Sequence, residues 1–283
     1  MRLKILAFCV SLFLISDTFG SVFDEMKPFT ESVRAMLLAE TNCVLADVEL
    51  EAQYQGGESK VRGIELVESP TDSSSKVLST WLKEPNIRDK RGRVQVNAYD
   101  IPNTELLEYS VKLLIPKPMT QLLSYNGDYD HFMVAEFWND IGWGSDYPFR
   151  ISVYLTKYEG KNTSSYRFQV KAETKENSQW ENLIWSELNT DFNVPFDEWI
   201  TLNYSLKEGS NTRGLFRLTV ERNDIEHEVF LVRNWTHHPE DNKPSGITHF
   251  NPIKLYTSHH LIDFASSNGF KLNLLWDDLD FKC

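Results

Sequence analysis

Two runs of the chain place side chains that can bind an anion on one surface. In Tyr147–Leu155 the apolar residues alternate with Arg150, Ser152 and Tyr154, and alternation of this kind is typical of a β-strand with two different faces. The run Tyr166–Ala172 repeats the pattern, with these polar residues on its second face: Arg167, Gln169 and Lys171. If the two strands are neighbours, cations, an amide and a phenol share one surface. A site for an anionic ligand is one interpretation, and a solvated outer sheet face is the other.

The chain as a whole is acidic, which makes a cationic surface on it notable. The formal net charge is -12 at pH 7, and this balance argues against nucleic acid as a partner. It is compatible with solubility and with binding of divalent cations or a mineral surface.

The N-terminus predicts export. A basic start at Arg2 and Lys4, a short apolar core and small residues near Gly20 are typical of a signal peptide over residues 1–20. No later stretch is long and apolar enough for a membrane span. We therefore expect a secreted, extracellular protein.

An oxidising export route bears on the cysteines and on the glycosylation sequons. Two cysteines remain after cleavage, Cys43 and Cys283, and they allow a single intramolecular disulfide. Free or intermolecular thiols are the alternative. Three Asn-x-Ser/Thr sequons predict glycosylation in a eukaryotic host: Asn162, Asn203 and Asn234.

The spacing of apolar residues predicts mostly strands. Asp24–Asn42 has mixed helical spacing and predicts a short helix, and residues 51–92 are expected to be loop-rich. From Arg93 onward many short runs separated by turns predict a two-sheet sandwich or jelly roll, with a hairpin at Asn223-Asp224 and a short helix in Ser258–Ser267. The predicted organisation is residues 1–20 as signal peptide, 21–90 as N-terminal extension and first strands, and 91–283 as the main jelly-roll body, which forms a single domain with part of 43–90.

Several motifs in the second half of the chain carry a resemblance as a set. They are AEFWNDIGW (135–143), YPFRISVYL (147–155), VPFDEWITLNYSLKEG (194–209), VRNWTHHP (232–239), ITHFNPIKLYTSHHLIDF (247–264) and LLWDDLDF (274–281). In order and spacing they resemble the concanavalin A-like jelly-roll proteins grouped with polysaccharide lyases of the heparin lyase I and glucuronan lyase type. The resemblance covers about half of the chain and implies a concanavalin A-like jelly roll there. Together with the helix that the spacing predicts near the N-terminus, the expected fold is an all-β, two-sheet sandwich with a short N-terminal helical extension.

The resemblance also implies β-elimination on uronic-acid polymers. That reaction needs a group that neutralises the uronate carboxylate, a base for the C5 proton and an acid for the leaving oxygen. Tyr154, Arg150 and His249 are the candidate catalytic residues, and His131 is a further histidine that fits a glycan groove. The candidate substrate-binding residues are Arg167, Gln169, Lys171, Glu136, Trp138 and Asn139, and Gln95 and Asn97 are further candidates for orienting the sugar.

Two acidic features leave alternatives open. Glu136 lies among apolar residues and either belongs to a groove with Trp138 as a sugar platform or pairs structurally with Arg150. Asp277 and Asp278 offer hard oxygen ligands for a structural Ca²⁺, or they belong to a charged edge strand that discourages aggregation. We expect no cofactor to be required.

Two functions follow as expectations. The first is binding of an acidic polysaccharide, with cleavage by β-elimination as a further step. The alternative is a non-catalytic, acidic extracellular matrix protein, for example of a mineralised shell or skeletal matrix.

Overall fold

The computed structural model describes residues 25–29, 33, 50–57, 59–88, 90–99, 105–139, 146–157, 165–176 and 179–282. Two antiparallel sheets face each other as a sandwich, which confirms the predicted all-β jelly roll. Within these residues, no helix is long and apolar enough to cross a membrane.

The larger sheet has eight strands. In spatial order they are β1 (Glu25–Pro28), β2 (Leu50–Tyr54), β5 (Arg91–Ala98), β14 (Ile247–Ser258), β7 (Phe132–Asn139), β8 (Phe149–Lys157), β9 (Tyr166–Glu176) and β10 (Gln179–Leu188).

The smaller sheet has seven strands. In spatial order they are β13 (Ile225–Val232), β12 (Leu215–Arg222), β11 (Trp199–Lys207), β6 (Leu106–Leu114), β15 (Leu272–Lys282), β4 (Lys76–Leu82) and β3 (Arg62–Glu68). The described residues also form two 3-10 helices (Lys117–Ser124 and Asn211–Arg213) and helix α1 (His259–Ser267).

The first part of the chain differs from the prediction in two ways. Residues 51–92 are not loop-rich, because they contain most of β2, all of β3 and β4 and the start of β5. Residues 25–28, placed in a predicted helix, form strand β1 instead, while Val33 is helical. Strand β2 pairs with β5, and β4 pairs with β15. Residues 50–82 therefore contribute to both sheets.

The space between the sheets is filled by aromatic and aliphatic side chains. The Tyr109 and Tyr204 rings stack at 4.8 Å, and Phe137 and Phe250 from the opposite sheet stack at 6.3 Å. All four side chains are at least 97% buried. Burial of each such side chain stabilises the fold by about 2–3 kcal/mol, so this layer fixes the two sheets face to face.

Strand β14 is a central strand that no sequence pattern predicted. It pairs with both β5 and β7, and its register shifts around Pro252. Proline cannot donate to a ladder, so it occurs within sheets at bulges and edges. The bulge brings Asn251 and Lys254 to the outer face of the sheet, where both make polar contacts.

Helix α1 leaves the end of β14 and packs Leu261, Ile262 and Ala265 into the core. Gly92 of β5 makes this approach close, since a Cβ there would lie 2.5 Å from Ile262 Cδ1. The docking places the first turn of α1, with His259 and His260, beside the outer face of the larger sheet.

Candidate functional site

The outer face of the larger sheet carries the polar side chains that the sequence placed there. Strands β8 and β9 are antiparallel neighbours, and their register sets Arg150 opposite Glu173, Ser152 opposite Lys171 and Tyr154 opposite Gln169. The alternate residues of both strands are buried in the core. The predicted common face of these two strands is thus confirmed.

A buried carboxylate lies at the centre of this face. Glu136 of β7 is 2% exposed, and its Oε1 accepts hydrogen bonds from Arg150 Nη1 at 3.2 Å and Ser152 Oγ at 3.3 Å. Its Oε2 accepts from the Nζ of Lys254, which is equally buried. Of the two interpretations of Glu136, the pairing with Arg150 is the one that the structure contains.

These contacts set the charge of Glu136. Burial on its own raises the pKa of this carboxyl, but the cations of Lys254 and Arg150 outweigh it and lower the pKa to about 2. Glu136 is therefore an anion at every physiological pH, compensated by two cations.

The guanidinium of Arg150 is held on three sides. Its Nε and Nη2 donate to Glu173 Oε2 at 3.0 and 2.8 Å, its Nη1 donates to Glu136, and its plane lies 4.4 Å from the ring centre of Trp180. Burial lowers the pKa of Arg150, but Glu136 and then Tyr154 and Glu173 raise it above its usual value. The guanidinium of Arg150 therefore has a fixed position on the outer face of the larger sheet.

Amide side chains extend the same network across the sheet. Gln53 Oε1 accepts from Gln95 Nε2 at 2.7 Å and Asn97 Nδ2 at 3.2 Å. Asn97 Oδ1 accepts from Asn251 Nδ2 at 2.7 Å, and Asn251 Oδ1 accepts from Lys254 at 3.1 Å. Together with the Glu136 cluster, hydrogen bonds run without a break from β2 to β9, over six adjacent strands.

A second cluster of titratable side chains adjoins this network. Tyr154, 8% exposed, meets the His131 ring edge-on with ring centres 5.4 Å apart, and Lys171 Nζ lies 5.4 Å from the Tyr154 ring centre. Burial raises the pKa of the Tyr154 phenol, so it keeps its proton. Burial and the Lys171 charge lower the pKa of His131, so its imidazole is neutral near pH 7.

The three side chains open into a cleft of about 570 Å³ between β8, β9, the end of β14 and the start of α1. Among the described residues, its lining includes the cations Lys90, Arg91, Arg150 and Lys171 and one carboxylate, that of Glu173. Because the chain as a whole is acidic, this local excess of positive charge favours an anionic ligand at the cleft.

The remaining candidate site residues lie in different places. His249 and Trp138 share the outer face, with their rings stacked at 6.2 Å, but neither lines the cleft. Burial lowers the pKa of His249 to about 3. Asn139 has the opposite parity to Trp138, is 3% exposed and donates to Glu208 beyond the end of β11. Arg167 and Gln169 precede Lys171 on β9 and share its outer face.

The predicted calcium ligands are separated from this site. Asp278 on β15 pairs with Lys112 at 2.5 Å, and its φ of 45° marks a register shift between Asp277 and Asp280. In the described part of the chain, no group of three or more His, Cys, Asp or Glu side chains converges as a metal site. The calcium site stays a prediction without a geometric basis.

Two of the predicted glycosylation sites lie among the described residues. Asn203 lies on the outer face of β11, where its Oδ1 accepts from Lys282, and Asn234 lies in the loop after β13. Cys43, Cys283, Asn162 and residues 1–20 lie outside the described residues.

Sequence reasoning missed Lys254, and it named His131 for the groove without predicting its contact with Tyr154. Lys254 lies on β14, where Pro252 obscured the alternation of Phe250, Ile253 and Leu255. His131 was one of two groove histidines, and its position at the start of β7, directly across from the end of β8, is what brings it to Tyr154.

Comparisons with known proteins support the fold. No family model and no curated protein matches the sequence. Among solved structures, an endo-β-1,4-glucuronan lyase from the fungus Trichoderma reesei matches with a TM-score of 0.51 and 12% identity over 77% of this chain and 85% of that one. A marine PL-14 alginate lyase from Aplysia kurodai matches with a TM-score of 0.49 and 9% identity over 76% and 85%. The alginate lyase AlyC3 matches with a TM-score of 0.44 and 12% identity over 88% and 96%. The chain is a two-sheet jelly-roll protein whose fold resembles that of the glucuronan lyase.

Proposed function

We propose that this protein binds acidic, uronate-containing polysaccharides in the cationic cleft and cleaves them by β-elimination. The observation that carries the proposal is the contact of a protonated phenol, Tyr154, with a neutral imidazole, His131, and an ammonium, Lys171. The fold shared with the glucuronan lyase supports the same substrate class, although fold alone does not establish an activity.

The three groups match the three requirements of the reaction. Lys171 pairs with the uronate carboxylate and so stabilises the negative charge that develops on it as C5 loses its proton. His131 accepts that proton, and Tyr154 gives its own proton to the glycosidic oxygen as the C4–O bond breaks and the C4–C5 double bond forms. Proton exchange with solvent then restores the imidazole and the phenol.

Arg150 has a positioning role in this proposal. Its guanidinium is already paired with Glu136 and Glu173, so Lys171 is the better carboxylate partner. Arg150 instead fixes Glu173 and Trp180, which form the wall next to Tyr154.

The test is the ultraviolet absorbance of the unsaturated product. Purified protein is incubated separately with alginate, glucuronan and heparin. We expect a rise with at least one polymer, and a loss of at least about 100-fold in rate for Tyr154→Phe and for His131→Ala. Tyr204→Phe is the matched control, because that phenol is buried in the core away from the cleft and its hydroxyl has no hydrogen-bond partner among the described groups. Absence of a rise with all three polymers would refute cleavage.

Binding without cleavage is the second candidate function. It is favoured by the internal pairing of Arg150, which leaves one fewer strong cation for the substrate. In that case the secreted, glycosylated protein would hold acidic polysaccharide in an extracellular matrix. Retention on an immobilised uronate polymer without any absorbance change would support this function.

A further inference from the structure

The end of the cleft next to helix α1 has the features of a separate sugar site. Tyr129 lines it and is 61% exposed, an unusual degree for a tyrosine in contact with other rings. Its ring stacks on His260 at 5.7 Å, with the two planes 5° apart. A flat, exposed ring held in place by a parallel partner is suited to stack on a pyranose.

The backbone of Tyr129 adds a second observation. Its φ is 58°, in the left-handed region that few residues with a Cβ adopt. The conformation holds Tyr129 within ring contact of both His260 and His131. Strain of this kind persists where surrounding contacts impose it, and here it directs an aromatic ring into the cleft.

Two cations complete this end of the cleft. Lys90 and Arg91 both line it, and the Lys90 carbonyl accepts a hydrogen bond from His259 N at the start of α1. Arg91 Nη1 donates to Tyr256 Oη at 2.8 Å, which fixes the guanidinium at the edge of the cleft. A uronate that stacked on Tyr129 would find a carboxylate partner here, whereas Asp128 and Asp130 flank Tyr129 in the chain and disfavour an anion on their side.

The position of Tyr129 relative to His131 and Tyr154 indicates which sugar of a bound polymer it contacts. The His131 ring contacts both tyrosines, with ring centres 6.3 Å from Tyr129 to His131 and 5.4 Å from His131 to Tyr154. We propose that this end is a second uronate subsite, next to the reaction centre, in which Tyr129 stacks on the sugar and Lys90 and Arg91 bind its carboxylate. The inference rests on the proposed function and extends it from one sugar to its neighbour in the chain.

The experiment measures affinity as a function of substrate length. Monosaccharides, disaccharides and tetrasaccharides of mannuronate, guluronate and glucuronate are titrated calorimetrically into the full-length protein carrying Tyr154→Phe, which does not consume them. We expect Tyr129→Ala to weaken binding of the disaccharides and the longer ligands by about tenfold and to leave monosaccharide binding unchanged. Tyr129→Phe keeps the stacking ring and should bind as tightly as its parent. Arg91→Gln should reduce the salt dependence for the disaccharides and the longer ligands alone.

Tyr147→Ala is the matched control, since Tyr147 packs on a histidine, His238, at 5.3 Å but does not line the cleft. An affinity unchanged by Tyr129→Ala at every length would overturn the subsite, and so would an equal loss at every length. If no oligosaccharide binds even the wild-type protein, the proposed function itself fails and the subsite falls with it.

Discussion

Replacement of Glu136 by glutamine removes the carboxylate that Lys254 and Arg150 share. Glu136 and Lys254 are both 2% exposed, so the exchange leaves buried positive charge without its counterion. Breaking a buried ion pair by removing one partner costs about 3–5 kcal/mol. We expect the free energy of unfolding to fall by about that amount at neutral pH.

The pH dependence of this loss can be worked out from the pKa of Glu136. The carboxyl has a pKa of about 2 in the folded protein and 4.5 as its ordinary value. A lowered folded-state pKa gives stability that is complete above the unfolded value and is lost as the pH falls toward the folded value. The difference between the two values corresponds to about 3 kcal/mol. About 2 kcal/mol of this contribution should be lost by about pH 3, so the gap between wild type and Glu136→Gln should narrow by that amount.

The measurement is urea unfolding followed by tryptophan fluorescence, at neutral pH and at steps down to about pH 3. Glu198→Gln is the matched control, because Glu198 pairs with Arg222 through two hydrogen bonds at the surface. Exposed pairs contribute about 0–1 kcal/mol. A stability gap for Glu136→Gln that equals the control's, or that stays constant as the pH falls, would refute the assignment of Glu136 as a buried, doubly paired anion.

Three further predictions test other parts of the structure. If cleavage is observed, its rate should fall on the acidic side only below the ordinary histidine pKa of 6.5. The reason is that His131 acts as a neutral base whose pKa is lowered. A pH–rate profile whose acidic limb lies above that value would contradict this role of His131. Chelation with EDTA should leave the thermal midpoint unchanged, since Lys112 already neutralises Asp278; a drop reversed by Ca²⁺ would instead support a calcium site. Gly214→Ala should lower the thermal midpoint, because a Cβ there would lie 2.1 Å from the Asn234 carbonyl oxygen. Overpacking of this kind costs about 1–3 kcal/mol. An unchanged midpoint would mean that the loop after β13 moves to accommodate the methyl group without a loss of stability.

The parts of the fold that could be predicted are those in which local pattern and tertiary role agree. Strands β8 and β9 alternate strictly, so their two faces were assigned correctly. The turn at Asn223-Asp224 was also predicted. Both residues take positive φ, 52° and 60°, as a two-residue hairpin turn requires.

The missed elements are those whose strand character depends on partners far along the chain. Strands β3 and β4 mix polar and apolar residues, and they gain their place from pairing with each other and, for β4, with β15. Strand β14 contains Pro252, which argues against a central strand on local grounds.

The residue types of the candidate site could be predicted, but the full set of ion pairs and ring contacts between these residues could not. Sequence analysis places Arg150 and Tyr154 on one face and has the Glu136–Arg150 pair as one of two alternatives, but it does not predict the second partner of Arg150, Glu173. Those contacts depend on register between strands. The neighbour of Tyr154 likewise proved to be His131 rather than His249.

The position of β14 between β5 and β7 has a consequence for how the protein matures. Those two strands leave the ribosome long before β14 and pair with it but not with each other. Strand β4 likewise gains β15 as a partner only when β15 has been made. Contacts of such long sequence separation form slowly, and the Lys254 counterion of Glu136 arrives with β14. Each sheet therefore keeps an unpaired edge in its middle until β14 or β15 has emerged.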